Sequence, residues 1–193
     1  MSWRNQSVVV FCIVVCSGVG CAFVQRHPML SYDAALSPAS PNGAAVTVGD
    51  FADQRTWSRD KIGDIRNGFG MKCADIVPRN SVTDWIREAF IKELSNAGYT
   101  ISDADSTTPV INGIVLDVYT NSLVNFVGRV RLKVILTKDG QEVLNKEYFY
   151  ENINNDAASL FNTEESYAEM MKMTLQYLMK TIVPELNQKL LAK

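Results

Sequence analysis

The side chains that carry most biological chemistry are sparse in this chain. Its one histidine, His27, falls in a stretch broken by Pro28, Pro38 and Pro41. A catalytic or metal-ligating imidazole needs partners that orient it, and such a stretch supplies none. Asp50, Asp53 and Asp75 flank the ends of extended runs; converging there, they would do acid–base work if a cleft perturbed their pKa values. Aspartates at strand ends more often cap turns. With His27 set aside, no Ser/His/Asp or Cys/His set can be assembled, and a metal would have only carboxylates to hold it. Neither catalysis nor a metal centre nor a small-molecule cofactor is expected. The glycines of Gly68-Phe69-Gly70-Met71-Lys72 lack phosphate-loop spacing and open no helix. What remains is Asp53 with Arg55. As a turn pair it holds a bend, and as a recognition site it meets a partner or a charged polymer.

Four cysteines suggest two disulfides until their places are read. Arg4, the apolar run from Val8 to Val15 and the small residues Ser17-Gly18-Val19-Gly20 have the three-part layout of an export signal. The apolar run is well short of the ~18 residues that span a bilayer. Cys12 and Cys16 leave with the signal. Val19-Gly20-Cys21-Ala22 resembles the end of a bacterial lipoprotein signal, which implies that Cys21 is acylated, for example with palmitate, and becomes the first mature residue. The alternative is cleavage after Gly20 or Ala22 with no lipid. Ala22 in place of aspartate implies, by the same resemblance, sorting to the outer membrane. Only Cys73 is then left as a thiol; in its apolar run, burial is the expected outcome.

Positioning such residues falls to a single domain. The expected division is a signal peptide over 1–20, a lipid-anchored flexible tether over 21–43 and a periplasmic α+β domain over 44–193. Loss of Arg4 takes the formal charge from −2 to −3, with signs interspersed, so nucleic acid is not an expected partner. A tether of about 20 residues spans on the order of 25 Å and would leave the domain's orientation free. A strand over 44–51 and two irregular runs, 62–66 and 69–77, joined by Asn67-Gly68, lead to a helix. Ser81 is its N-cap and Gly98 its left-handed stop. Val82, Trp85, Ile86, Ala89, Phe90, Leu94 and Ala97 share one face, with Arg87, Glu88, Lys92, Glu93 and Asn96 opposite.

Strands over 109–120, 126–137 and 141–152 follow, the last two joined by the hairpin turn Asp139-Gly140. Alternation of Val130, Leu132, Val134 and Leu136 with Arg129, Arg131 and Lys133 marks one covered and one wet face. The closing helix runs over about 163–183, where Pro184 is expected to end or kink it. Its Met170, Met171, Met173 and Met179 read as gap-filling core rather than a binding surface.

The Gly20-Cys21-Ala22 start, Asp53-Gln54-Arg55-Thr56 after the first strand, Ala97-Gly98-Tyr99 at the helix end and Val130-Arg131-Leu132 together resemble the YajG-like lipoproteins of Gram-negative bacteria. The resemblance implies an envelope location and a small sheet with two helices, and brings no activity with it. The expectation is an antiparallel sheet with two helices packed on one face, a two-layer sandwich. Acting by binding, it would be held at the outer membrane through lipid on Cys21 and meet an envelope protein or polymer. The alternatives are an auxiliary subunit of an envelope transport or assembly complex, a scaffold that oligomerises through a sheet edge, and a small periplasmic hydrolase.

Overall fold

The computed structural model describes residues 24–36, 43–67, 69–103, 108–123, 125–154 and 163–192. Cys21 and the signal lie outside the described residues. The order of elements is β1 (Ala45–Asp53), β2 (Gly63–Arg66), β3 (Lys72–Ile76), α1 (Val82–Asn96), β4 (Thr100–Ile101), β5 (Val110–Ser122), β6 (Phe126–Lys138), β7 (Gln141–Asn154) and α2 (Glu164–Leu191).

The helix α1 forms for the local reasons its sequence states. Ser81 caps it by accepting from the Asp84 amide at 3.2 Å, and Gly98 ends it at φ +92°. The seven apolar positions of its face are all buried. Glu93 is the exception to the pattern, fully buried although its spacing places it among the polar residues opposite.

One long strand organises the sheet. β6 pairs antiparallel with β5 along one edge, and β7 with β6. Asp139 and Gly140 turn the last hairpin with φ of 52° and 73°, the left-handed pair that a tight two-residue turn requires. The other edge of β5 is shared. β1 takes the first half, from Thr47↔Val110 to Asp53↔Val115, and β2 the second, from Gly63↔Thr120 to Ile65↔Ser122; both run parallel to β5. β4 is parallel to β1, and β3 antiparallel to β2.

The sheet is therefore mixed, and the expectation of a purely antiparallel one is corrected. Two-residue alternation reports which face is covered and nothing about direction. Direction follows from the connection, and the crossover through α1 returns the chain parallel to β1.

Both helices cover the same face of this seven-stranded sheet. Met170, Met171 and Met179 are buried and Met173 half-buried, so the methionines fill core. Pro184 does not end α2, which continues to Leu191. An interior proline costs about 3 kcal/mol. Burial of Leu186 offsets much of this, at about 1.5–3 kcal/mol, and Lys138 Nζ donates to the terminal carbonyls of Leu190 and Ala192 at 3.2 and 2.6 Å.

The flexible tether is corrected for residues 24–36, which form a docked arm. Arg26 bridges Ile76 on the outer edge of β3. Leu30 exchanges two 2.9 Å bonds with the Asn80 side chain, and Trp85 Nε1 donates to Ser31 O at 2.9 Å. Tyr32 is buried against Glu93, while Gln176 on α2 donates to Asp33 O at 2.8 Å. Prolines stop a helix from forming, but an extended segment can still pack, and Leu30 and Tyr32, two apart, face inward together. His27 sits on this arm with its side chain exposed, its amide donating to Glu164 at 3.0 Å.

Candidate binding face

Away from the helices, β5, β6 and β7 present an open surface set by their register. Tyr119, Arg129 and Glu151 stand side by side across the three strands, and so do Asp117, Arg131 and Phe149. The loop after β1 folds over this surface and lays Trp57 on it. Its indole donates to Asp117 at 3.1 Å and meets the Tyr119 ring edge-on, centroids 5.3 Å apart.

Arg129 lies at the centre. Its Nε donates to Asp117 at 2.5 Å, Glu151 is 3.9 Å away, and its guanidinium carbon stands 4.9 Å over the Tyr119 ring. Arg131 stacks 5.3 Å from Phe149, which is 51% exposed. Among the described residues Arg131 makes no ion pair. Two adjoining clefts of about 410 and 530 Å³ meet at Arg129. The first is walled by Trp57, Arg131 and Phe149, the second by Arg66, Asn121 and Leu123. Guanidinium groups stacked on rings keep their N–H edges aimed outward, and that edge binds carboxylate or phosphate in bidentate fashion. The flanking rings suit an apolar or sugar-like neighbour of the anion.

Asp53 and Arg55 are brought together, but facing inward. Arg55 is 3% exposed. Its Nε and Nη2 donate to the Asp53 carboxylate at 3.0 and 2.8 Å, and its Nη1 and Nη2 to Lys61 O and Arg59 O at 3.0 and 2.6 Å. These bonds engage all three nitrogens of the buried guanidinium, so the pair's visible work is to fold the loop that delivers Trp57. Burial would raise the Asp53 carboxyl, but hydrogen bonds from Arg55 and its charge outweigh it and hold the group below its ordinary value. Stability from this pair is thus present above the unfolded carboxyl pKa of about 3.9 and lost as pH falls through the lower folded value. Asp53→Asn is expected to lower the melting temperature at pH 7 and to converge with the parent in strong acid. An equal difference at all pH values would refute the ion-pair account.

Asp75 is engaged separately, by Lys61 and Lys72 at 2.8 and 2.7 Å, and Asp50 is exposed. Cys73 is half-buried, its thiol donating to Met71 O at 3.4 Å, rather than buried as expected. Sequence reasoning passes over Arg129 and Arg131 as a solvated face. Their alternation is visible there; the aromatic rings beneath them are not, because Tyr119 and Phe149 are brought alongside by the pairing of separate strands.

A mixed sheet with two helices on one face makes this a two-layer α+β domain. Three solved structures share that fold at a TM-score of 0.53 each. They are an uncharacterized protein (10% identical, covering 81% of this chain and 99% of that one), protein XCC0632 from Xanthomonas campestris, of family model DUF330 (10%, 86% and 99%), and the hypothetical protein CT253 from Chlamydia trachomatis (9%, 79% and 100%). A search of curated proteins finds no significant match. The chain belongs to a family of uncharacterized lipoproteins, whose model matches residues 39–190, in keeping with the YajG-like motifs. Among the described residues no helix is long and apolar enough to cross a membrane.

Proposed function

We propose that this lipoprotein is a non-catalytic binding module of the bacterial envelope, held at the outer membrane by acyl chains on Cys21 with its domain in the periplasm. Its open sheet face recognises anionic groups of an envelope polymer or of a partner protein. The observation that carries this reading is the juncture of two ligand-sized clefts at Arg129, beside an Arg131 that makes no ion pair among the described residues. Clefts of a few hundred Å³ with few convergent polar groups are the usual form of a ligand site. Membership of a lipoprotein family supports the anchor.

A photoreactive residue in place of Phe149 is expected to crosslink a specific component of the native envelope. Arg131→Glu is expected to lower that yield roughly tenfold or more, the scale of one charge-assisted contact. Equal yields with and without Arg131→Glu, in protein of unchanged melting temperature, would remove the basis for the proposal.

A further inference from the structure

The direction in which the described arm runs ahead of Arg26 is readable from one backbone bridge. Arg26 pairs in parallel with Ile76 on the outer edge of β3. Its N donates to Asp75 O at 3.1 Å, and its O accepts from Val77 N at 2.9 Å. Because the pairing is parallel, the chain ahead of Arg26 lies toward the residues ahead of Ile76, where the β2–β3 turn is. Cys21 is five residues before Arg26, and Met71 is five before Ile76. At about 3.3–3.6 Å per extended residue, the chain has the reach to bring Cys21 level with that turn.

The turn itself is unusual for a surface in water. Phe69 is 90% and Met71 59% exposed, and Val24, the first described residue of the arm, is also an exposed apolar side chain. The tip is ordered by Asn67, whose side-chain oxygen accepts from the amides of Phe69 and Met71, both at 3.0 Å. Lys72 stands beside it with its side chain half in solvent, its ammonium 2.7 Å from Asp75, a carboxylate it shares with Lys61. An ordered apolar tip flanked by a cation, within covalent reach of a lipidated residue, matches a phospholipid surface in both its parts. Acyl chains take the apolar groups and headgroup phosphates take the ammonium.

We propose that the β2–β3 turn is a second membrane contact, with Phe69 and Met71 inserted into the phospholipid beside the acyl chains of Cys21. This rests on the lipid anchor proposed above. An anchor on a free leash would let the domain tumble. Here the docked arm shortens the leash, and the second contact sets the orientation.

The test uses the full-length protein processed in its native envelope, purified and reconstituted into phosphatidylethanolamine–phosphatidylglycerol vesicles, with and without bromine on the acyl chains. Phe69→Trp is expected to lose severalfold more emission in brominated vesicles than the parent, whose Trp57 lies on the sheet face and Trp85 in the core. Met71→Trp is expected to do the same. Acylated, vesicle-bound Phe69→Trp protein quenched no more than the parent overturns the contact. So does a photocrosslink from position 69 that goes to protein and not to lipid. An intact mass without acyl chains on Cys21 overturns the anchor, and the contact with it, so the two failures are told apart.

Discussion

Replacing Glu93 by alanine is expected to detach the N-terminal arm and to lower stability by about 3 kcal/mol, the scale of leaving buried hydrogen-bond donors without their acceptor. Glu93 is fully buried and gathers the arm onto α1. It accepts from Tyr32 Oη at 2.5 Å, Ala35 N at 2.7 Å and Leu36 N at 3.3 Å. Alanine leaves three donors without an acceptor, at about 1–3 kcal/mol each when they stay buried. Release of the arm to water caps the loss, since the donors then find solvent. Two signatures therefore accompany each other: a lower urea midpoint, and new protease cleavage within 24–36.

Tyr32→Phe removes one donor and is expected to cost about 1 kcal/mol, the net value of a typical hydrogen bond. Burial first, and Glu93 second, raise the Tyr32 phenol well above its ordinary pKa. Its contribution is therefore complete below the unfolded value of about 10 and lost as pH rises from there toward the folded one. The phenylalanine variant should show a flatter alkaline limb. A Glu93→Ala protein with parental stability and an arm still resistant to protease would end this account.

Gly63→Ala is expected to cost about 3 kcal/mol or more, at the upper end of overpacking effects. A Cβ there would lie 1.7 Å from Thr120 O and 2.8 Å from its carbonyl carbon. Those are backbone atoms, so no rotamer change relieves the clash. The site is also where β2 joins β5, through Gly63↔Thr120 and the 2.6 Å bond from Thr120 N to Ile62 O. The β2–β3 hairpin and the arm bridged to it should loosen together. Amide exchange would show this as faster exchange over 63–76 than over β6 and β7. Gly70→Ala is the comparison. It meets nothing within 4 Å, and its φ of +81° limits the cost to about 1 kcal/mol. Equal melting temperatures for the two variants would show that the approach at Gly63 yields easily.

Much of the fold is legible residue by residue. Ser81, the spacing from Val82 to Ala97, and Gly98 specify α1, while Asp139-Gly140 specifies the last hairpin. Thr163 opens α2 by accepting from Ser166 N. Each is a matter of sterics and hydrogen bonds among residues a few positions apart, so the information is complete where it is read. The same holds for the alternation in β6, which announces a covered and an open face before the sheet exists.

What the chain alone could not express is which surfaces meet. That β1 and β2 divide one edge of β5 depends on the path of α1 over the sheet. Pro184 stays inside a helix because a core awaits Leu186, and Glu93 turns inward because an arm some sixty residues away brings donors to it. Asp53 and Arg55, the most pointed motif in the sequence, hold a loop, and the face that loop helps to build takes Trp57, Arg129 and Phe149 from three separate segments. Local preferences are set by short-range geometry and can be read in order. Contacts between distant segments are decided by the total free energy of the packed chain, in which burying one face outweighs a proline, a charge or a flexible-looking stretch taken singly.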